Sequence, residues 1–319
     1  MIVKSLCPIC YKEIDGTILV NQTVEMLSKC PTHGDISGIV EVDTEFFNKY
    51  GTKKDSCFFN SVMLDITDVC NTKCRLCYYP VGKDHKSASW VLDKGRELGS
   101  YNLWLSGGEP TTHPEIFDII SKLDNFSCCL TNGVKFADKN FLNEYIKASS
   151  LREFLFVKAV ISIHSDASEA KFVALDNIRS LGIMIDTAMF AIESVDEIED
   201  IIDIWEDWHD VIACIRIRTP FNTWMQEEDK GLYLSQMDKE FTRILPQARV
   251  TDLLGGNTIY NLNYSFDKRF ISLCCSPSRY AMDINGVDCA PKMLCKNNKI
   301  YPIPLGLMIN EGINKGQNG

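Results

Sequence analysis

Apolar and polar positions follow two alternating periods between residues 60 and 220. Short apolar runs such as 102–107 predict buried strands, and stretches such as 138–149 carry apolar residues at helical spacing. Six strands and the helices between them follow each other in strict order. This alternation predicts an α/β fold with right-handed crossovers and a parallel sheet, in which reactive side chains gather at the carboxyl ends of the strands.

The two ends of the chain do not share this rhythm. We therefore expect three segments, with residues 60–254 as the α/β core. Residues 1–59 are predicted to form a small metal knuckle with a linker, and residues 255–319 a C-terminal extension. Asn285-Gly286 in that extension is typical of a tight β-hairpin turn.

Composition places the chain among ordinary globular proteins. It has 319 residues, 45% hydrophobic and 24% charged, with a net charge of -10. The negative charge argues against binding a nucleic-acid backbone, which needs a basic surface. No run of 18 apolar residues and no signal peptide is evident, so we expect a cytoplasmic protein without an integral membrane segment.

Fourteen cysteines are unusual for such a compartment, where thiols stay reduced. Cys128, Cys129 and Cys214 lie in apolar strand-like runs and are expected to be small buried hydrophobic residues. Most others are closely spaced, which favours metal binding. These form an N-terminal group, a central group and a C-terminal group: Cys7, Cys10 and Cys30; Cys70, Cys74 and Cys77; Cys274, Cys275, Cys289 and Cys295.

The N-terminal group reads "CPIC" at 7–10 and "CPTHG" at 30–34. Proline and glycine suit tight turns whose backbone amides point at metal-bound sulfur. The spacing predicts a zinc-ribbon or rubredoxin-like site, with zinc favoured over iron. Its predicted ligands are Cys7, Cys10, Cys30 and His33.

The central group, Cys70-x3-Cys74-x2-Cys77, is one ligand short of a closed tetrahedral site. His85 is a candidate fourth ligand, although its spacing is unusual for zinc. Alternatively, three thiolates hold a 4Fe–4S cluster and leave one iron open to a substrate or cofactor.

This loop follows the first strand of the repeat, and "SGGEP" at 106–110 ends the second strand. Together they resemble the radical S-adenosylmethionine superfamily, which implies a partial (β/α)6 barrel. The resemblance implies that S-adenosylmethionine chelates the open iron and that one electron from the cluster cleaves its C5′–S bond. The 5′-deoxyadenosyl radical then abstracts hydrogen from an organic substrate, with reduced flavodoxin or ferredoxin as the electron donor.

The same resemblance assigns cofactor contacts to strand ends. Residues 107–109 are expected to bind the amino group, and side chains on later strands the ribose and carboxylate. Arg216 or Arg218 is expected to pair with the carboxylate, and only one of them to face inward. Leu76 departs from the aromatic residue that the family commonly has there. The implied contacts are Gly107, Gly108, Glu109, Asn132, Ser162, His164 and Arg218.

The two terminal segments add further resemblances. The N-terminal element is similar to that of tetraether-lipid synthases and pterin-methylating enzymes, which favours C–C bond formation or methylation of a lipid- or pterin-like substrate. The C-terminal cysteines resemble twitch and SPASM extensions, which carry auxiliary 4Fe–4S clusters and would suggest peptide modification. That auxiliary cluster would be held by Cys275, Cys289 and Cys295.

A different class of function also fits the sequence. The chain is then a zinc-ribbon interaction module fused to an inactive α/β scaffold, acting through partner contacts. The colour of anaerobically purified protein separates the two hypotheses, because an iron–sulfur protein is brown and a zinc protein is colourless.

Overall fold

The computed structural model describes residues 1–51, 60–77, 79–150, 155–163, 168–220, 231–251, 257–258, 260–275, 280–282, 292–302 and 310. The chain divides into two compact units. One comprises residues 1–59, 192–199 and 217–319, and the other comprises residues 60–191 and 200–216.

The first unit begins with an antiparallel four-stranded sheet in the order β1-β2-β3-β4. Its strands are β1 (Ile2–Leu6), β2 (Glu13–Val20), β3 (Val24–Cys30) and β4 (Gly34–Glu41), followed by helix α1 (Thr44–Tyr50). From Ile14 to Ile18 of β2 every second residue is buried, which is the pattern of a sheet with one solvated face. Asp43 caps α1 by accepting a hydrogen bond from the Phe46 amide.

The same unit contains a C-terminal set of elements. Helix α7 (Leu234–Ile244) precedes strands β11 (Arg249–Val250), β12 (Asn261–Phe266) and β13 (Arg269–Cys274), which pair antiparallel in that order. A second hairpin joins β14 (Lys292–Leu294) to β15 (Ile300–Pro302). The hairpin expected at Asn285-Gly286 lies outside the described residues.

The second unit contains most of the alternating strands and helices expected between residues 60 and 220. Its strands are β5 (Ser61–Thr67), β6 (Asn102–Gly107), β7 (Phe126–Thr131), β8 (Phe156–Ser162), β9 (Met184–Ala191) and β10 (Ile212–Arg218), of which the last two residues are assigned to the first unit. They lie side by side in chain order, and the pairs from β5 to β9 are parallel. This arrangement confirms the fold class expected from the alternating pattern.

Helices lie between these strands, as the pattern predicted. They are α2 (Ala88–Glu97), α3 (Ile116–Lys122), α4 (Lys139–Ser149), α5 (Glu169–Ser180) and α6 (Glu197–Asp207). α2 was not anticipated from the sequence. Gly182 follows α5 with φ +65°, the left-handed conformation expected of a C′ glycine. Before α6, the Glu197 carboxylate accepts the Ser194 amide at 2.9 Å, which is one half of the predicted capping box.

The core of the second unit is apolar. Val62, Leu64 and Ile66 of β5 are at most 1% exposed, and so are Leu103 and Leu105 of β6. Cys128, Cys129 and Cys214 are also buried, as expected of small hydrophobic residues. Nothing in the described ranges forms a helix both long enough and apolar enough to cross a bilayer.

Candidate functional site

The three central cysteines lie on one loop that begins where β5 ends. Cys70 and Cys74 are half-buried and Cys77 is exposed. The Cys77 amide donates to the Cys74 carbonyl at 3.2 Å, which folds the second half of the motif into a turn. The parallel sheet thus presents three reduced thiols at the carboxyl end of its first strand, the edge where reactive groups of such folds are found.

The base of this loop is closed by contacts between its two ends. Thr67 Oγ1 lies 2.8 Å from His85 Nδ1, and the two residues form an isolated β-bridge. The Gly82 amide donates to the Asp68 carbonyl at 2.8 Å. His85 was a candidate fourth ligand, but its Nδ1 is engaged with Thr67 at the loop base. Its ring also packs edge-on against His113, with ring centroids 5.1 Å apart.

The "GGE" segment is attached by its backbone to the residues just before Cys70. The Gly108 amide donates to the Thr67 carbonyl and the Glu109 amide to the Val69 carbonyl, both at 2.8 Å. Gly107 has φ +128°, and a Cβ there would lie 2.2 Å from the Thr67 carbonyl oxygen. A Cβ on Gly108 would lie 2.4 Å from the Val69 oxygen. The two glycines are therefore required for the close approach of β6 to the loop.

The Glu109 carboxylate is 1% exposed and joins the ends of β6 and β7. Its Oε1 accepts from the Thr111 amide at 3.0 Å, the Thr111 hydroxyl at 2.6 Å and the Thr131 hydroxyl at 2.7 Å. Its Oε2 accepts from the Asn132 amide at 2.6 Å. Burial raises the pKa of Glu109, and these hydrogen bonds oppose the rise. Four donors around one carboxylate make it a rigid junction between the two strand ends.

Asn132 extends this junction to the cysteine loop. Its Nδ2 donates to Asn71 Oδ1 at 2.7 Å and to Thr72 Oγ1 at 3.2 Å. Its Oδ1 accepts from the Val134 amide at 3.0 Å. The Thr72 hydroxyl in turn lies 3.4 Å from Cys70 Sγ. Asn132, which the sequence predicted to contact the cofactor, thus uses its side-chain NH2 group to hydrogen-bond the loop that holds the thiols.

Tyr79 supports the far end of the loop. Its amide donates to Cys77 Sγ at 3.4 Å, and its hydroxyl donates to Asp68 Oδ1 at 2.9 Å. Asp65, on β5, hydrogen-bonds Ser106 and Tyr79, and its pKa is raised to about 6 by burial and then by the charge of Asp68. An acidic pair therefore lies beside the thiol loop.

This donor set fits a 4Fe–4S cluster better than a mononuclear ion. Three soft thiolates suit iron–sulfur binding; the Tyr79 amide donates to the Cys77 sulfur, and the Thr72 hydroxyl lies within hydrogen-bonding distance of the Cys70 sulfur. Across the ranges that the structure describes, Cys70, Cys74 and Cys77 do not form a group of ligand atoms close enough together to surround a single ion. The arrangement therefore matches a cluster held by three cysteines with one iron open.

The remaining predicted cofactor contacts are only partly described. Ser162 is half-buried at the end of β8, whereas His164 lies outside the described residues. Arg216 and Arg218 are both half-buried on β10. The expectation that only one of them faces inward was wrong, because residues two apart in a strand share a face.

The N-terminal cysteines form a different kind of site. The ligand atoms of Cys7, Cys10, Cys30 and His33 all lie within 4.8 Å of one another. Cys10 Sγ is 3.8 Å from Cys30 Sγ, and His33 Nδ1 is 3.4 Å from Cys7 Sγ and 3.5 Å from Cys30 Sγ. With bonds of about 2.3 and 2.0 Å to a tetrahedral zinc, sulfurs lie about 3.8 Å apart and sulfur and nitrogen about 3.5 Å apart. The observed distances fit a mononuclear tetrahedral ion.

Backbone amides point at these sulfurs, as the turn sequences predicted. Burial raises the pKa of Cys7, opposed by hydrogen bonds from the Cys10 and Ile9 amides. Burial acts in the same direction on Cys30, but amides of Thr32 and His33 help lower its pKa to about 6. A lowered pKa favours the thiolate, which is the form that binds metal.

The C-terminal cysteines are described in part. Cys275 is half-buried, and its thiol donates to the Leu232 carbonyl at 2.8 Å. Cys274 Sγ lies 3.1 Å from Asn261 Oδ1. Cys295 is 3% exposed, directly after β14, and Cys289 lies outside the described residues. An auxiliary cluster at this end stays a prediction.

Sequence reasoning missed several residues that support the central loop. Asn71, Thr72 and Thr131 were not singled out, although the polar residues between the cysteines and at the end of β7 were visible in "CNTKC" and "LTNG". Tyr79, two positions after the last cysteine, was not singled out either. Asp65 was also missed, although a charged residue between Leu64 and Ile66, in the apolar part of β5, was visible in the sequence.

Comparison with known families gives one match for part of the chain. Residues 2–41 match the model of the HMPTM N-terminal zinc ribbon domain. These residues contain all four ligands of the tetrahedral site. The match agrees with the zinc-ribbon interpretation of the "CPIC" and "CPTHG" turns.

Two characterised relatives match further segments. One is the 7,8-dihydro-6-hydroxymethylpterin dimethyltransferase of Methanocaldococcus jannaschii, 25% identical over 183 residues, or 45% of this chain and 36% of that protein. Another is the PqqA peptide cyclase of Methylorubrum extorquens, 35% identical over 83 residues, or 23% of this chain and 22% of that protein. The aligned regions thus span about a third or less of these relatives.

A solved structure shares the fold. Streptococcus suis SuiB, crystallised with its precursor peptide SuiA, superposes with a TM-score of 0.51 at 13% identity. The match covers 84% of this chain and 64% of that one. At this identity the similarity concerns the fold alone.

Proposed function

We propose that this chain belongs to the radical S-adenosylmethionine superfamily and is an enzyme that reductively cleaves S-adenosylmethionine, with support from its fold and from the relatives that match it. The 5′-deoxyadenosyl radical so produced would abstract hydrogen from an organic substrate. The observation that carries the proposal is the loop of three thiols, tied by backbone hydrogen bonds to the "GGE" strand end.

A 4Fe–4S cluster at this loop supplies the electron for that cleavage when bound. Cys70, Cys74 and Cys77 would ligate three of its irons and leave the fourth open. The protein supplies position: the close approach at Gly107 and Gly108 holds the end of β6 against the loop beside which the cofactor would bind. The closed base of the loop fixes the three sulfurs relative to the sheet.

The predicted cofactor contacts become part of this proposal. Glu109 Oε1 already accepts three hydrogen bonds, so Oε2, which accepts one, is the oxygen with capacity for the amino group. Ser162 and His164 are assigned to the ribose and carboxylate, as in the family. Arg216 or Arg218 is assigned to the carboxylate, because an arginine can bind it through two parallel hydrogen bonds.

The direct test is product release. Anaerobically reconstituted protein, given dithionite and S-adenosylmethionine, should form 5′-deoxyadenosine, and Cys74→Ala should form none. The matched control is Cys128→Ala, a buried β7 thiol outside the loop, which should retain the reaction. Wild-type protein with four irons per chain and no nucleoside product would contradict the proposal. A colourless protein containing zinc alone would instead favour the interaction-module hypothesis.

Methylation or C–C bond formation on a pterin- or lipid-like molecule is the substrate class that we favour. Support comes from the N-terminal zinc-ribbon match and from the similarity over 183 residues to the pterin dimethyltransferase of Methanocaldococcus jannaschii. Incubation with a reduced hydroxymethylpterin should give a product heavier by one or two methyl groups. Unchanged pterin in a reaction that still releases 5′-deoxyadenosine would argue against this substrate class.

A second candidate is modification of a peptide. It is favoured by the segment 35% identical to a peptide cyclase, and by the fold shared with SuiB. A peptide product should show a loss of two hydrogens by mass spectrometry without any added methyl group. An auxiliary cluster at Cys275, Cys289 and Cys295 would strengthen this candidate, and it should raise iron above four per chain.

The N-terminal site is proposed to bind zinc, with iron as the alternative, and to fold residues 2–41 rather than to transfer electrons. Reduced flavodoxin or ferredoxin is the proposed electron donor. Cytoplasmic location remains part of the proposal, since that compartment keeps such thiols reduced.

A further inference from the structure

Thr72 lies between two of the three thiols. Its Oγ1 is 3.4 Å from Cys70 Sγ and 3.7 Å from Cys74 Sγ, within hydrogen-bonding range for sulfur. It is half-buried on the loop. A hydroxyl has one proton, so it can donate to one sulfur at a time.

Asn132 fixes the direction of this hydrogen bond. Its Oδ1 is occupied by the Val134 amide, which places Nδ2 toward the loop. Nδ2 donates to Thr72 Oγ1 at 3.2 Å, so the threonine oxygen acts as the acceptor in that bond. The threonine proton is thereby left for another acceptor, and the nearest sulfurs are those of Cys70 and Cys74.

Cluster binding removes the remaining ambiguity. Cysteines ligate iron as thiolates, which can accept but not donate hydrogen bonds. With thiolates at Cys70 and Cys74, the only consistent order is Asn132 Nδ2–H to Thr72 Oγ, and Thr72 O–H to sulfur. Glu109 fixes the backbone of Asn132, the first residue of this chain of hydrogen bonds, because its Oε2 accepts a hydrogen bond from the Asn132 backbone N–H at 2.6 Å.

We propose that Thr72 is a positioning residue that donates a hydrogen bond to a cluster-ligating thiolate and raises the reduction potential of the cluster, with Asn132 orienting it. The inference rests on the proposed iron–sulfur function. Hydrogen bonds to ligand sulfur stabilise the more negative, reduced state and so raise the potential. The effect would make the cluster easier for a flavodoxin-class donor to reduce.

This chain of hydrogen bonds also changes the role of Asn132. Both Nδ2 hydrogens are used, one on Asn71 and one on Thr72, and Oδ1 already accepts one backbone amide. The side chain retains capacity for a single further acceptor bond. Its main task is therefore to hold the thiol loop, and any contact with the cofactor is secondary.

The experiment uses Thr72→Val, which keeps the shape and removes the hydroxyl, and Thr72→Ser, which keeps the hydroxyl. The control is Thr112→Val, the same change at a nearby hydroxyl that hydrogen-bonds the Glu109 carbonyl at 2.7 Å and the Val69 carbonyl at 3.4 Å instead of a sulfur. For each reconstituted, S-adenosylmethionine-free protein, iron and sulfide are counted and the midpoint potential is measured by redox titration monitored by electron paramagnetic resonance.

Thr72→Val should hold full iron at a more negative potential, while Thr72→Ser and Thr112→Val match the wild type. If Thr72→Val alone loses iron while Thr72→Ser retains it, this also supports a hydrogen bond from the Thr72 hydroxyl to a cluster ligand. Equal potentials at full iron in all four proteins would overturn the inference, as would loss of iron in both Thr72 variants. Wild-type protein unable to bind iron would overturn the proposed function itself, so the two failures are distinguishable.

Discussion

The two cysteine sites of this protein use the same side chain in two different ligand arrangements. At the N-terminal site, four ligand atoms lie within 4.8 Å of one another, close enough to bind a single ion. At the central loop, three thiols lie on a segment held by hydrogen bonds from two neighbouring strand ends, and within the described part of the chain they form no compact group around a single ion. A complete ligand set makes a structural site, whereas an incomplete set on a rigid frame leaves a coordination position for chemistry.

The largest expected effect separates the two sites by metal content. Cys74→Ala should abolish stable iron binding and 5′-deoxyadenosine release while leaving one zinc per chain. Metal analysis by mass spectrometry after anaerobic purification measures both. A Cys74→Ala protein that keeps four irons would contradict the assignment of the cluster to the central loop.

Removal of a ligand from the N-terminal site should instead destabilise the fold of that segment. Cys30→Ala should remove zinc and unfold residues 2–41, because structural zinc contributes about 10–16 kcal/mol to folding in zinc-finger peptides. Zinc content and limited proteolysis of this segment are the readouts, with Cys129→Ala as a thiol control. Retention of a protease-resistant N-terminal segment without zinc would show that the four-stranded sheet is stable alone.

Gly107→Ala tests the close approach of β6 to the loop. Its Cβ would lie 2.2 Å from a backbone oxygen at φ +128°, so we expect a loss of about 3 kcal/mol or more in unfolding free energy. Gly182→Ala is the matched control: it also has positive φ but nothing within 4 Å, and should cost about 1 kcal/mol. Urea denaturation distinguishes them, and equal losses would refute the steric argument.

Glu109→Gln tests the junction that supports the loop. An amide NH2 would replace one acceptor oxygen among four donors, so we expect a loss of about 2–3 kcal/mol. The exposed Glu115→Gln should change stability by less than about 0.5 kcal/mol. Thermal unfolding compares them, and a neutral Glu109→Gln would mean that the carboxylate is not needed to join β6 to β7.

Asp65 should produce the smallest effect, and it depends on pH. Its pKa is raised from 3.8 to about 6, so the folded state binds more protons than the unfolded state between these values. Stability should therefore fall as pH rises from about 4 to 6, by about 1–3 kcal/mol. Asp65→Asn should remove this slope, which denaturation at several pH values would show. If Asp65→Asn leaves the pH dependence of stability unchanged, another titratable group causes that dependence.

The sequence predicted the order of strands and helices because apolar periodicity is a local property. It also predicted the four ligands of the N-terminal site, since spacing within two short turns fixes their relative positions. α2 was missed because its apolar stripe is weak, with only Ala88, Val91 and Gly95 buried.

The support of the central loop was harder to predict because it depends on contacts across the sheet. Thr72 and Asn132 are 60 positions apart, and only the parallel register of β5, β6 and β7 brings them together. The glycines of "GGE" were interpreted as cofactor contacts. Their observed role, allowing two backbone segments to pass closely, requires knowledge of the neighbouring strand.

The attachment of the cysteine loop to β6 and β7 has a consequence for protein engineering. A graft of residues 68–86 onto another α/β scaffold would carry the three thiols but leave behind the carbonyl, amide and carboxylate partners that keep them in register. A portable version of this centre must therefore include everything from Ser61 to Val134 as one cassette.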